Sequence, residues 1–371
     1  MKAVVLVGGE GTRLRPLTFT TPKPLLPVAN QVFLERQLSW LAAHGVDEVA
    51  LSLGYLPDAF RARFPEGRFV DGANREVRLV YAVEPVPLGT AGAVRFAAEH
   101  LGVGERIVVC NGDVLTGLDL GALVSFHDGR QAEATIHLAR VDDPSAFGVV
   151  PTFADGEVKA FVEKPPRGAA PTDWINAGTY VLEPSILERI PAGLCVSIER
   201  ETFPRLLEQR GRLFAMPSDA YWIDIGTPDQ YLQVHADLLA GRLGPCPVPG
   251  AHEAAPGIWI QGDATPEGLG APVLVGPDCR IEGDARVSGS VLGAAVRVAP
   301  GAVVAQSVLH DDVTVAAGAR VRDSIIGTGA VIGADAEVVD RSIVGANAVV
   351  ELGGCLVRAR RPATAAPATS P

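Results

Sequence analysis

No stretch of this sequence is apolar for long enough to cross a membrane, and the N-terminal run Ala3 to Val7 holds only five apolar residues before glycine intervenes. That is too short for the core of a secretory signal, so no membrane partner is expected and a cytoplasmic setting is. Basic residues are in deficit as well: 32 Lys and Arg stand against 43 Asp and Glu, for a formal net charge of -11. A polyanion-binding surface normally carries a basic excess, so no nucleic-acid partner is expected and local cations read as features of a site. Cysteine is sparse. Cys110, Cys195, Cys246, Cys279 and Cys355 form no C-x-x-C pair, which suggests neither a structural zinc nor a disulfide framework. They are expected to be reduced and mostly to serve as packing residues.

What is present is enough apolar material for more than one core: 371 residues, 47% hydrophobic and 20% charged, fit a two-domain globular chain. Up to about residue 240, β-rich apolar runs alternate with helical patterns, the grammar of a parallel sheet covered by helices. Lys2 to Val7, Glu48 to Leu53, Val77 to Val83 and Arg106 to Asp113 are strand candidates; Phe33 to Gly45 and Thr90 to Gly102 carry helical spacing with a glycine stop. Gly244 to Gly257 is rich in proline and glycine and reads as a linker. Beyond it, S-[VI]-x-G turns begin at Ser290, Ser307, Ser324 and Ser342, spaced 17, 17 and 18 residues apart, and apolar residues recur every sixth position, as at Val275, Ile281 and Val287. Three hexads per turn of a solenoid describe a β-helix, whose units bury their apolar edges only by stacking. The expected division is an α/β domain over 1–243, a linker over 244–271, a β-helix over 272–354 and a disordered tail over 355–371.

The loop after the first strand reads GGEGTRLRP from Gly8. A Walker loop needs a Gly-Lys-Ser/Thr that does not follow, and a dinucleotide fingerprint needs a third glycine where Leu14 stands. What remains is a flexible segment that lets backbone N–H groups approach a ligand, followed by Arg13, Arg15 and Lys23, with prolines that forbid a helix through Arg15 to Pro27. A plain turn with solvated charges is the alternative.

The ordered set GGEGTRLRPLT…PKP, EPVPLGTAGAV from Glu84, NGDVLTGLDL from Asn111, FGVV from Phe147, FVEKP from Phe161, INAGTYVL from Ile175, SIERETFPRLL from Ser197 and YWIDIGTPDQY from Tyr221 resembles the sugar-phosphate nucleotidyltransferases. It looks most like their mannose-1-phosphate guanylyltransferase branch. The resemblance implies an α/β fold, with a Rossmann-like, mostly parallel sheet followed by a left-handed parallel β-helix of hexapeptide repeats. It implies transfer of a nucleotidyl group from GTP to mannose-1-phosphate, with Mg2+ as cofactor and self-association through the β-helix. Gly8, Gly9, Gly11, Thr12, Arg13, Glu84, Gly89, Thr90 and Gly112 would bind nucleotide. Gly148, Glu163, Lys164 and Asn176 would bind the sugar phosphate, and Asp113 and Asp224 the metal. Arg13, Lys23, Asp113 and Lys164 would carry the catalysis.

The chemistry accords with those residue types. The attacking phosphate, with a second pKa of about 6, is already largely a dianion at neutral pH, so cations and a metal are needed more than a nucleophile. Glu84 would accept from guanine N1–H and its 2-amine, whereas uracil or thymine would suit an amide better. Capping of its own loop is the other role open to Glu84, as turn formation is for the two aspartates. Three rivals stand beside this reading: a uridylyl- or thymidylyltransferase acting on glucose-1-phosphate, a non-catalytic sensor of nucleotide sugars, and a bifunctional acyltransferase using His310. His310 replaces the repeat's glycine and is expected to face solvent. Glu10 and Arg200 are left without a role.

Overall fold

The computed structural model describes residues 1–102, 104–263 and 267–362. By packing, the chain falls into two units: Met1–Gly9 with Leu34–Ile223, and Glu10–Phe33 with Asp224 onward.

The first unit is built on a sheet whose centre is parallel. Lys2–Leu6 lies between Ile107–Asn111 and Glu48–Leu53, and Glu76–Val83 follows on the far side of Glu48–Leu53, all four running the same way. The three central strands are largely apolar runs because both faces are covered: Ala3, Val4, Val5, Val49, Ala50, Leu51, Val108 and Val109 are fully buried, whereas Glu76–Val83 toward the edge alternates, with Glu76 and Arg78 exposed. The helix Gly89–His100 presents Ala91, Val94, Ala97 and Ala98 to this core, small side chains that allow a close approach. Antiparallel strands extend the sheet. Trp174–Leu182 pairs with Ile107–Asn111 and with Ala134–Arg140, and Gly148–Val149 joins Val162–Glu163 to its edge. Because the order reverses direction at Lys2–Leu6, the carboxyl ends of Lys2–Leu6 and Ile107–Asn111 form a topological switch point, where open sheets of this kind bind ligands.

The second unit is dominated by the β-helix. Parallel pairing stacks the coils in register: Val287, Val304, Val321 and Val338 form one buried column, Leu292, Leu309, Ile326 and Val344 a second, Val298, Val315, Ile332 and Val350 a third. The repeat serines form a ladder beside them. Ser307 N–H donates to Ser290 Oγ (3.1 Å), Ser324 N–H to Ser307 Oγ (3.2 Å), and Ala359 N–H to Ser342 Oγ (3.2 Å). The single 18-residue interval is accommodated at a corner where Asp340 and Arg341 both have positive φ, one residue more than the corner at Asp323.

Several expectations need correction here. The segment 244–271 is not all linker: Ala251–Ala255 and Ile258–Gln261 form a hairpin around Gly257, and Ile258–Gln261 pairs in parallel with Leu269–Val275, so the solenoid sheet begins before 272. The tail does not start at 355, since Cys355–Val357 and Arg360–Arg361 pair as further strands of the β-helix; the remainder of the expected tail, 363–371, lies outside the described residues. His310 is buried, at 5% exposure, beside the Tyr231 hydroxyl (3.0 Å), because the helix Pro228–Leu239 covers that corner of the coil. The same helix explains why packing does not divide the chain at 243. Tyr231 OH donates to Pro27 O, and Ala29 N–H donates to His235 Nδ1 (3.2 Å), tying the segment Glu10–Phe33 to the helix and the helix to the coils. All five cysteines are unpaired, but only Cys110 and Cys279 are buried; Cys195, Cys246 and Cys355 are exposed, against the expectation of packing roles.

Candidate active site

In the first unit, the two switch-point strands end so close together that only glycine fits. A Cβ on Gly112 would lie 2.4 Å from Val7 Cγ1 and 2.7 Å from Leu6 O, and Gly112 N–H donates to Leu6 O (2.9 Å). Asp113 follows at once, in the two-residue turn between Ile107–Asn111 and Val114–Thr116 rather than on the strand itself. Gly8 meets Gly54 in the same way, a Cβ there falling 3.2 Å from Gly54 N and 3.4 Å from Glu84 Oε1; Gly9, next along, is exposed.

Glu84 is held from both sides. Ser52 Oγ donates to its Oε1 (2.9 Å), and Leu88 N–H donates to its Oε2 (2.9 Å), so the carboxylate does cap the loop that follows it. A carboxylate oxygen can accept more than one hydrogen bond, so these two bonds do not saturate Glu84. Gly89, at φ 66°, leaves a Cβ position only 2.6 Å from Val196 O. Thr90 spends its hydroxyl proton on Glu199 Oε2 (2.7 Å) and accepts from Ile198 N–H (2.8 Å). The loop 88–90 is thereby fastened to the π-helical turn Ile198–Thr202, a turn type that concentrates at functional sites.

On the antiparallel side of the same unit, Gly148 pairs with Glu163, and a Cβ on Gly148 would fall 2.6 Å from Phe161 Cε1 and 3.0 Å from Glu163 Oε2. Lys164 takes a positive φ of 47°, and its Nζ lies 3.6 Å from Glu163 Oε1; Arg200 Nη2 lies 4.0 Å from that same oxygen. Two cations thus converge on one carboxylate, and Arg200 is drawn to Glu163 and Lys164. Asn176 donates to the Tyr180 hydroxyl (2.7 Å), with its own Oδ1 accepting from Gly178 N–H (3.1 Å), at an irregularity in the pairing between Asn176 and Tyr180. Burial pushes the Tyr180 hydroxyl well above its ordinary pKa, so it stays a neutral donor and acceptor. Trp222, which donates to Ala177 O (2.9 Å) and meets Phe147 edge-on at 5.5 Å, was not singled out by the sequence reasoning; neither were Tyr180 and Glu199. The only advance signal for them was membership of the motifs INAGTYVL, SIERE and YWIDIG.

In the second unit, the prolines act as expected: the signature segment contains no α-helix, only the short 3₁₀ turns Thr12–Leu14, Leu17–Phe19 and Lys23–Leu25. Gly11, at φ 61°, brings Lys23 and Thr18 together; a Cβ there would be 3.0 Å from Lys23 Cβ, and Thr18 Oγ1 donates to Gly11 O (2.9 Å). Thr12 and Arg13 are exposed on this turn. Asp224 ends the strand Trp222–Asp224 and accepts from Gly226 N–H (2.9 Å). A Cβ on Gly226 would lie 2.6 Å from Arg13 Nη2 and 3.0 Å from Asp224 Oδ1, so guanidinium and carboxylate flank one glycine. Glu10, left without a role by the sequence, pairs with Arg15 (2.7 Å). Among the described residues, no three His, Cys, Asp or Glu side chains gather as a metal cluster. A hard ion that takes one or two carboxylates and fills its remaining positions from phosphates and water does not require one.

The family described as nucleotidyl transferase matches residues 2–241, and that described as the GMPPB C-terminal domain matches residues 269–360. Among similar proteins, the mannose-1-phosphate guanylyltransferase of Mycobacterium tuberculosis is 42% identical, over 80% of each chain. Mannose-1-phosphate guanylyltransferase 1 of Arabidopsis thaliana is 36% identical, over 80% of this chain and 82% of its own. Among solved structures, HddC from Yersinia pseudotuberculosis superposes with a TM-score of 0.54 at 30% identity, covering 63% of this chain and 97% of that one; its complex with GMP-PN gives 0.53 and 31%. With the first of these families matching well over half its length, the chain belongs to the nucleotidyl transferase family.

Proposed function

We infer that this enzyme transfers the guanylyl group of GTP to mannose-1-phosphate, releasing pyrophosphate and forming GDP-mannose. The observation that carries the reading is the 42% identity, extending over 80% of both chains, to a relative that bears this name. In the reaction, a phosphate oxygen of the sugar-1-phosphate attacks the α-phosphorus. The bond from that phosphorus to the bridging oxygen breaks in line, and pyrophosphate leaves with the electron pair. No covalent enzyme intermediate is needed, because the nucleophile belongs to the substrate.

Arg13 and Lys23 would offset the charge of the triphosphate and of the departing pyrophosphate, while Gly8, Gly9, Gly11, Thr12 and Gly112 let the backbone come near it. Lys164 would hold the sugar phosphate, with Glu163 and Asn176 accepting from or donating to sugar hydroxyls beside Gly148. Gly89 and Thr90 would shape the loop under the base, and Glu84 would receive guanine on acceptor sites additional to those occupied by Ser52 and Leu88. Asp113 and Asp224 suit a hard divalent cation; Mg2+ held there would neutralise phosphate charge and align the two anions. A cytoplasmic setting agrees with five unpaired thiols, and the β-helix end, where Leu352 and Val357 are exposed at 76% and 54%, suits self-association.

Uridylyl or thymidylyl transfer is the second reading, favoured by the capping bonds that Glu84 already makes. A pyrophosphate-release panel of four NTPs against mannose- and glucose-1-phosphate decides between them. Highest kcat/KM for GTP with mannose-1-phosphate is the expected result, and a preference for UTP or dTTP would overturn it. Binding of GDP-mannose with no pyrophosphate released from any pair would instead make the protein a sensor.

A further inference from the structure

The cation-bearing loop has an unmet need of its own. In a 3₁₀ turn each carbonyl accepts from the N–H three residues on; Gly11 O accepts from Leu14 N–H (3.0 Å) and Thr12 O from Arg15 N–H (3.2 Å). The carbonyl of Arg13 cannot continue the series, because the residue three positions on is Pro16, which has no N–H. Its donor comes from 347 residues away: Arg360 Nη2 donates to Arg13 O at 2.7 Å. Arg360 stands on the last described coil of the β-helix, where Ile343 pairs with Arg360 and Val344 with Arg361. The neighbouring coil touches the loop as well, through Gly345, whose N–H donates to Arg361 O. A Cβ on Gly345 would lie 3.0 Å from Pro16 Cβ and Cγ and 3.2 Å from Pro362 Cδ, so the coil and the proline are already in close contact. A third hold lies farther along the loop, where Tyr231 donates to Pro27 O beside His310 of an inner coil. The loop and the coils accordingly pack as one unit.

We propose that Arg360 is a positioning residue for the phosphate-binding loop: by supplying the donor that Pro16 cannot, the last described coil of the β-helix sets where the Arg13 guanidinium stands when the NTP binds. The proposal rests on the assignment of Arg13 to the triphosphate. It gives the β-helix a part in nucleotide binding besides assembly.

The test uses the full-length chain with Arg360→Ala, Arg360→Lys, Arg13→Ala and the control Arg358→Ala, whose wild-type side chain pairs with Asp340 (2.7 Å). Steady-state KM for GTP and for mannose-1-phosphate is measured alongside the thermal midpoint. Arg360→Ala is expected to raise KM for GTP roughly tenfold, equivalent to about 1.4 kcal/mol, with KM for the sugar phosphate and the thermal midpoint unmoved. Arg360→Lys should recover part of the loss, since an ammonium can donate to the same carbonyl, and Arg358→Ala should match wild type. A normal KM for GTP in Arg360→Ala overturns the proposal. So does a parallel fall in stability and in all kinetic constants, the mark of a merely structural contact. If Arg13→Ala itself leaves KM for GTP unchanged, the reading of Arg13 falls; if Arg13→Ala is impaired and Arg360→Ala is not, only the positioning role does.

Discussion

Lowering the pH from 7 to 4 should selectively weaken the coil that contains His310. Burial pushes this imidazole down to about 4 from an ordinary value of 6.5. Between those two values the unfolded chain binds a proton that the folded chain does not, so stability rises with pH across the window and is lost as pH falls from about 6.5 to about 4. A gap of roughly 2.5 units corresponds to about 3 kcal/mol. In His310→Gln the amide can still meet the Tyr231 hydroxyl but cannot titrate. The variant should be less stable than wild type at pH 7, through poorer packing, and the difference should shrink by about 3 kcal/mol by pH 4. His137, also lowered by burial to about 4, and Glu35, raised by burial, titrate in both proteins and cancel in the comparison. The two packing units need not unfold together, so global melting is a poor readout. Amide exchange in the coil is better: Val308 N–H is bonded to Ser324 O (3.0 Å) and His310 N–H to Ile326 O (2.8 Å), and their opening free energies report it directly. A difference between wild type and variant that stays constant from pH 7 to pH 4 would refute the linkage argument.

Asp113→Asn should abolish pyrophosphate release while leaving the thermal midpoint in place; near wild-type turnover would remove Asp113 from the metal assignment. Glu84→Gln should keep the fold, because the Ser52 hydroxyl can rotate to accept from the new amide while its carbonyl serves Leu88 N–H. Its preference for GTP over UTP should fall by roughly tenfold, or about 1.4 kcal/mol, in competition assays, and an unchanged ratio would leave Glu84 as a loop cap alone. Gly112→Ala puts a methyl group against Leu6 O and Val7 Cγ1, and overpacking of this kind costs about 1–3 kcal/mol. Calorimetry should show the lowered midpoint, and an unaltered one would mean that the strand ends relax apart.

Much of this protein could be read from its local pattern. Runs such as Lys2–Leu6 and Glu48–Leu53 declare buried strands because both faces must be apolar, and the serine-led turns declare the solenoid because each coil can hide its edge only on the next. At Gly112 the structure gives a motif glycine a packing reason of its own, since a Cβ would meet Leu6 O and Val7 Cγ1. Periodicity carries no information about contacts between distant segments, and there tertiary structure decided. Tyr231 made His310 a core residue rather than a solvent-facing one. Arg200 found its place through Glu163, and Ser52 and Leu88 engaged both oxygens of Glu84. The assignment of Glu10–Phe33 to the β-helix unit rests on partners more than 200 residues away, Tyr231, His235 and Arg360 among them. Each of those contacts depends on where a single donor or ring falls once the coils have stacked, and no local pattern encodes that.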